Sequence, residues 1–324
     1  MADFAVAYEQ DTEPTQAEEA VAEKRGLGFG GWLGVGWLVV IVLIAVIGPF
    51  LTAAPIATKS GFVTEACGDG SGLPLYDPFQ CVDLRALANQ RIGNGADGKV
   101  THLMGVDGSG RDVFSRMVVG TRTTLIIAVG SIAFAVVVGG ALGIAGGYYG
   151  RVTRATVGGL FDVLLAFPQL ILALAIVSFT SRSVFNITVT LAIVAIPLLG
   201  RIARASALSW SEREFVTASK AMGAKQWRVV TREVLPNVLP ALMSITLLAV
   251  GVVIVAEASL SIIGLGVPAG AVSWGAVLGA GGADFHSYPH MVFIPLIAIC
   301  LTVMALNAVG DAVRRKFDVR ESAI

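Results

Sequence analysis

Several groups of residues in this chain have the types and spacing from which chemistry can be built. Gly26, Gly28 and Gly31 follow the G-x-G-x-x-G spacing of a dinucleotide-binding turn. That turn needs a strand before it, and here an apolar run follows, so the spacing is read as incidental. A phosphate-cradling loop requires Gly-Lys followed by Ser or Thr, whereas Gly98-Lys99 is followed by Val100, and no nucleotide site is expected. His286, His290 and Asp284 are metal-ligand types, but Pro289 keeps a regular helix from aligning them; a loop with no metal is expected. Glu257, with Ser259 and Ser261 beside it, is an ionisable group inside a long apolar run. At a cost of about 3 kcal/mol in hydrocarbon, it must face protein or water. Two readings follow: a group lining a passage or gate, or a packing contact to a neighbouring helix. Asp162 lies early in another apolar run, where a helix N-terminus favours an anion, and a structural role is expected.

The elements that must position these residues are lipid-embedded. Of the 324 residues, 55% are hydrophobic and 14% charged, and 23 basic residues balance 23 acidic ones, which removes the broad basic field of a nucleic-acid binder. Six stretches approach the 20 or so apolar residues that cross a bilayer: Trp32 to Leu51, Thr124 to Ala145, Val157 to Phe179, Val184 to Gly200, Leu239 to Ile263 and Met291 to Val309. An all-α, six-span fold follows. Gly139, Gly143 and Gly147 recur every fourth residue and mark a face for close helix packing, within a bundle or between copies.

Fifteen of the 23 basic residues fall inside if both termini are cytoplasmic, and seven of the other eight lie in one long outer connection. Basic residues near span ends are retained in the cytoplasm, so both termini are expected there. The division expected is an acidic tail at 1–30, a first span at 31–53, an outer loop at 54–122, a five-helix core at 123–310 and a tail at 311–324. The first 25 residues hold seven acids and two bases. That composition is opposite to a cleaved leader and reads as a solvated, disordered cytosolic arm. Cys67 and Cys81 sit in the outer loop, in an oxidising compartment, either as a disulfide or as two unpaired thiols.

Between spans four and five lies an inner connection, 201–236, that is long and basic. Ser211 and Glu214 have capping-box spacing, and Trp210 and Phe215 the spacing of a hydrophobic staple, so a helix is expected from Glu212 to Met222. Gly223 would supply the left-handed turn after it. Phe215, Ala218 and Met222 then share a face with Ser219 beside them, flanked by Arg213, Lys220 and Arg228. A second helix, Lys225 to Leu235, is expected to stop at Pro236 before Pro240 opens span five. The pattern is a stiff elbow with an apolar contact face.

Thr217-Ala218-Ser219, Gly223 and Leu235-Pro236 resemble the E-A-A, G and L-P loop of binding-protein-dependent ABC permeases, with Thr217, Ser219 and Glu233 departing from it. Gly105-Val-Asp107-Gly-Ser-Gly110-Arg111-Asp112 and Ala256-Glu257-Ala-Ser259-Leu260-Ser261 followed by Gly264-Leu-Gly266 are similar to segments of the peptide and nickel branch. Trp274-Gly275, Ala305-Leu-Asn307 and Gly310-Asp311 also match its C-type subunit. The resemblance spans roughly 30 to 320.

It implies a type I ABC importer permease in the bacterial plasma membrane: a multi-pass, non-enzymatic subunit importing dipeptides or oligopeptides. Its implied partners are a homologous second permease, two cytosolic ATPase domains that hold ATP and Mg, and an extracytoplasmic substrate-binding protein. The ATPase would grip the segment of Arg213, Glu214, Phe215, Thr217, Ala218, Ser219, Lys220, Met222, Gly223 and Ala224. The alternatives are nickel or another small solute on the same architecture and, from other classes, an ion-driven secondary transporter or an intramembrane enzyme. The secondary transporter requires midplane charges in broken helices of repeated halves, and the enzyme a cluster of catalytic side chains at one depth.

Overall fold

The computed structural model describes residues 28–51, 93–94, 101–268, 270–283 and 285–321. The acidic tail, Gly26, Lys99, Cys67, Cys81 and Asp284 lie outside them. The described residues are almost wholly helical. A two-residue antiparallel ladder, β1 (Gly93–Asn94) with β2 (Thr101–His102), is their strand content.

Helix α1 (Gly28–Leu51) is followed by α2 (Val113–Tyr148), then α3 (Arg151–Leu165) and α4 (Gln169–Ser178). Five helices are long and apolar enough to cross a membrane: α1, α2, α5 (Val184–Ser211), the continuous stretch Gln226–Ile262, and α10 (His290–Glu321). The bent pair α3 and α4 makes a sixth if counted as one span.

Four features depart from the expectation drawn from sequence. First, α2 begins at Val113 rather than Thr124. Asp112 caps it by accepting from Ser115 N at 2.7 Å, so residues expected in the outer loop join the helix. Second, the third span is broken, with α3 and α4 meeting at 86°. Pro168 caps α4; its ring and missing N–H end any regular helix running through it. Third, α5 continues past Gly200 to Ser211, so the 201–236 segment starts as a helical extension. Fourth, Pro236 does not stop the second elbow helix. Residues run from α7 (Gln226–Val229) through a π-turn (Val230–Val234) into α8 (Leu235–Ile262). The wide turn admits Pro236 at the start of α8, and Asn237 Nδ2 donates to Glu233 O at 2.6 Å, serving a carbonyl of the disturbed ladder.

The core is built around α2 packed on α5. A Cβ placed on Gly139 would meet Ile196 O at 2.7 Å, one on Gly143 would collide with Gly200 O, and one on Gly147 would meet Arg204 O at 2.6 Å. The glycine face is thus used inside the chain. On the other side of α5, the Phe161 ring of α3 lies so close to Gly200 that no larger residue fits there.

A short helix not expected from the hydropathy, α9 (Trp274–Ala283), packs on α2, α8 and α10. Gly275, Gly279 and Gly281 let it approach Ala258, Ser261 and Met291 closely. Ser273 caps it, accepting from Ala276 N at 3.0 Å. Trp274 is fully buried. Its Nε1 reaches Met117 O and Thr121 Oγ1, each at 3.1 Å, and its backbone N–H reaches Thr124 Oγ1 at 3.0 Å.

Candidate functional site

The elbow is formed by α6 (Glu214–Ala221) standing between α5 and α7. Its start differs from the expected capping box. Ser211 remains in the last turn of α5, its Oγ donating to Leu208 O at 2.8 Å, and Arg213 occupies the cap position without a side-chain cap bond. A serine in a helix end readily bonds back to its own preceding turn, and here that bond wins. The aromatic contact does form: the Trp210 and Phe215 rings lie 6.2 Å apart, with the Arg213 guanidinium 5.1 Å from the Trp210 ring.

The far end of α6 closes as the sequence requires. Gly223 has φ +81°, Gly223 N donates to Lys220 O and Ala224 N to Ser219 O. These two bonds make a Schellman ending, which demands a left-handed residue at the glycine.

Three contacts fix the elbow to the body. Val216 is completely buried in a small core with Ile144, Ala203, Ala207, Val229, Val234, Val238 and Leu242. Lys220 Nζ lies 4.6 Å from the Tyr148 ring at the end of α2, and Tyr148 OH donates to Gln226 Oε1. With Val216 turned inward, the opposite side of α6 is left open. Phe215, Thr217, Ala218, Lys220 and Met222 are exposed, Met222 by 81%, and Trp227 on the next helix by 73%. Ser219 and Ala224 are half-buried. The arrangement is a rigid, shallow apolar face rimmed by Arg213, Lys220 and Arg228.

Within the span region the three residues suggested for a passage separate. Glu257 is 1% exposed. Its Oε1 accepts from Ser261 Oγ at 2.8 Å and from Ser273 Oγ at 2.7 Å, so the carboxyl ties α8 to the cap of α9. Ser259 turns away from that network and lines a cavity of about 220 Å³ between α2, α4, α5 and α8. Gln169 is the other polar residue in its wall, against Leu170, Val194, Leu198 and Val252 among others.

The remaining candidates find structural places. Asp107 is buried, its Oδ1 accepting from Ser109 N and Arg111 N at 2.9 Å each and its Oδ2 from Arg111 Nε at 2.8 Å. That turn, with Gly105 and Gly110 at positive φ, leads the chain into α2. His290 Nε2 lies 3.1 Å from Val106 O and fixes the same turn to α10. Among the described residues no group of three metal-ligating side chains occurs. Asp162 sits in the last turn of α3, paired with Arg201 of α5 rather than with a helix N-terminus. Thirty-nine residues separate the two, and sequence spacing carried no sign of the pair.

The family described as "Binding-protein-dependent transport system inner membrane component" matches residues 135–322. The chain is 36% identical over 217 residues to the dipeptide transport system permease protein DppC of Alkalihalophilus pseudofirmus, covering 67% of this chain and 71% of that protein. It is 35% identical over 217 residues to the glutathione transport system permease protein GsiD of Pectobacterium atrosepticum, covering 67% and 72%. Among solved structures, an inward-facing native crystal form of the MetNI methionine ABC transporter aligns with a TM-score of 0.52 at 22% identity, covering 63% of this chain and 96% of that one. The fold is thus shared with an ABC importer permease, and the chain belongs to the binding-protein-dependent transport system inner membrane components, the multi-pass permease subunits of ABC importers, in which ATP hydrolysis resides in partner subunits.

Proposed function

We propose that this chain is one of two different permease subunits of a peptide importer in a bacterial plasma membrane, crossing it six times with both termini inside. Its similarity to dipeptide and glutathione permeases supports a short peptide as cargo, and nickel is not favoured. ATP and Mg would be held by two cytosolic ATPase domains, and an extracytoplasmic binding protein would deliver the peptide.

The observation that carries the coupling role is the elbow: Phe215, Ala218 and Met222 exposed on a helix whose other side is locked down by Val216. An apolar face on a stiff, capped helix is what an ATPase cleft needs to grip. The flanking Arg213, Glu214, Lys220 and Arg228 set register more than affinity. Thr217, Ser219, Gly223 and Ala224 complete the docking segment. Closure of the ATPase pair on nucleotide would then bias the two permeases between inward-open and outward-open arrangements.

The test is co-expression of this chain with a homologous permease, ATPase subunits and binding protein, followed by reconstitution and uptake of a labelled dipeptide. ATP-dependent uptake that needs every component is expected. Transport by this chain alone, without an ATPase, would refute the proposal.

A further inference from the structure

Resting on the permease reading above, we infer that Asp162 and Arg201 form a charged site in the aqueous passage, one helical turn from the apolar cavity on its elbow side. There the ammonium and carboxylate ends of a peptide exchange with the pair's own partners. The two side chains form an ion pair between α3 and α5, yet they are 67% and 52% exposed. Asp162 lies in the last turn of α3 and Arg201 just beyond Gly200 on α5, at the elbow end of helices otherwise suited to hydrocarbon, where charged side chains reach for water or a protein partner. The face that carries them is therefore covered by water or by protein.

Position along α5 favours water. Leu198 lines the cavity, and Arg201 follows it by three residues, so the two share a face. The same exposed stripe continues through Ala205 and Ser209 to the end of α5, where the elbow begins. Read in that direction the stripe passes from leucine to arginine to small and polar residues, as a route out of an apolar chamber toward water would. The backbone on either side is fixed, because Phe161, next to Asp162, is wedged against Gly200, next to Arg201. The pair is thus held in place by packing on its buried side while its charges stay open. An ion pair this exposed is weak enough to exchange one partner for another. A peptide with free termini presents the complementary charges: its carboxylate to Arg201 and its ammonium to Asp162.

The test uses the assembled importer, with its partner permease, ATPase and binding protein, in proteoliposomes. Asp162→Cys and Arg201→Cys, each in a background with Cys67, Cys81 and Cys300 changed to Ser, are exposed to a charged, membrane-impermeant methanethiosulfonate. Labelling about tenfold faster than a Val39→Cys control on α1 is expected, because the reactive thiolate forms only where water reaches it. Labelling as slow as that control would mean that lipid or the partner permease covers the pair, and would overturn the inference. In uptake of a labelled dipeptide, Arg201→Gln and Asp162→Asn are each expected to lose about tenfold, and Arg201→Lys to stay within about threefold of the parent. Undiminished uptake by both neutral variants would also overturn it. Failure of the unaltered importer to move the dipeptide would instead sink the peptide reading, and the labelling rates would still decide whether the pair stands in water.

Discussion

Gly223 holds φ +81° with nothing within 4 Å of the place a Cβ would occupy. Space is therefore not the constraint there; backbone conformation is, and the left-handed region costs a side-chain-bearing residue about 1 kcal/mol, more if β-branched. Gly223→Val is expected to insert normally but to lose most uptake while ATP turnover continues, because the bend no longer holds its angle. Parallel measurement of ATP hydrolysis and uptake checks this, and full transport by the variant would count against the lever. Glu257 lends itself to a different experiment. Ser273 both caps α9 and donates to Glu257 Oε1, so Ser273→Ala removes two bonds at once. A loss of about 1–3 kcal/mol is expected, read as a lowered melting temperature in detergent. Ser259→Ala, on the cavity wall, is expected to leave that temperature unchanged.

At the scale of elements, the tightest joint is between α2 and α5. Gly143→Leu would drive a side chain into the backbone of Gly200 and into Ala203. Overpacking of this kind costs about 1–3 kcal/mol or more, and the variant is expected to be poorly recovered in a thermal aggregation assay. Gly36→Leu, on the open side of α1, should be tolerated. The sequence made much of this layer legible. Hydropathy located α1, α2, α5, α8 and α10, and the four-residue glycine spacing named the face that α5 covers. Gly223 announced the turn after α6. What escaped was decided by competition among local bonds or by distance along the chain. Ser211 had the right neighbours for a cap and spent its hydroxyl on Leu208 instead. Pro168 broke a span that hydropathy alone joins, whereas Pro236 broke nothing because a π-turn absorbed it. Helix α9 is short and glycine-rich, and only the Ser273-Trp274 start could have marked it. The Asp162–Arg201 pair depends on two helices meeting, which no local pattern encodes.

For the whole molecule, the docking reading makes a prediction about assembly. Phe215→Asp gives up only the contact with Trp210 and Met222→Asp alters a largely exposed group, so each variant should fold and should still pair with the second permease. Each is expected to lose about tenfold in recovery of the ATPase subunit on co-purification, since an apolar contact is replaced by a buried charge. Unchanged recovery with both variants would place the docking surface elsewhere.

The stretch from Gln226 to Ile262 is unbroken. Trp227, in the open at one extremity, and Glu257, sealed in at the other, are thirty residues apart on a single rod of about 45 Å. Tilting such a rod by about 10° about its middle sweeps each tip through roughly 4 Å, comparable to the width of a helix backbone. The carboxyl at the Glu257 tip is bonded to the cap of α9, so a push delivered near the tryptophan would carry α9 along with it, like the two ends of a seesaw.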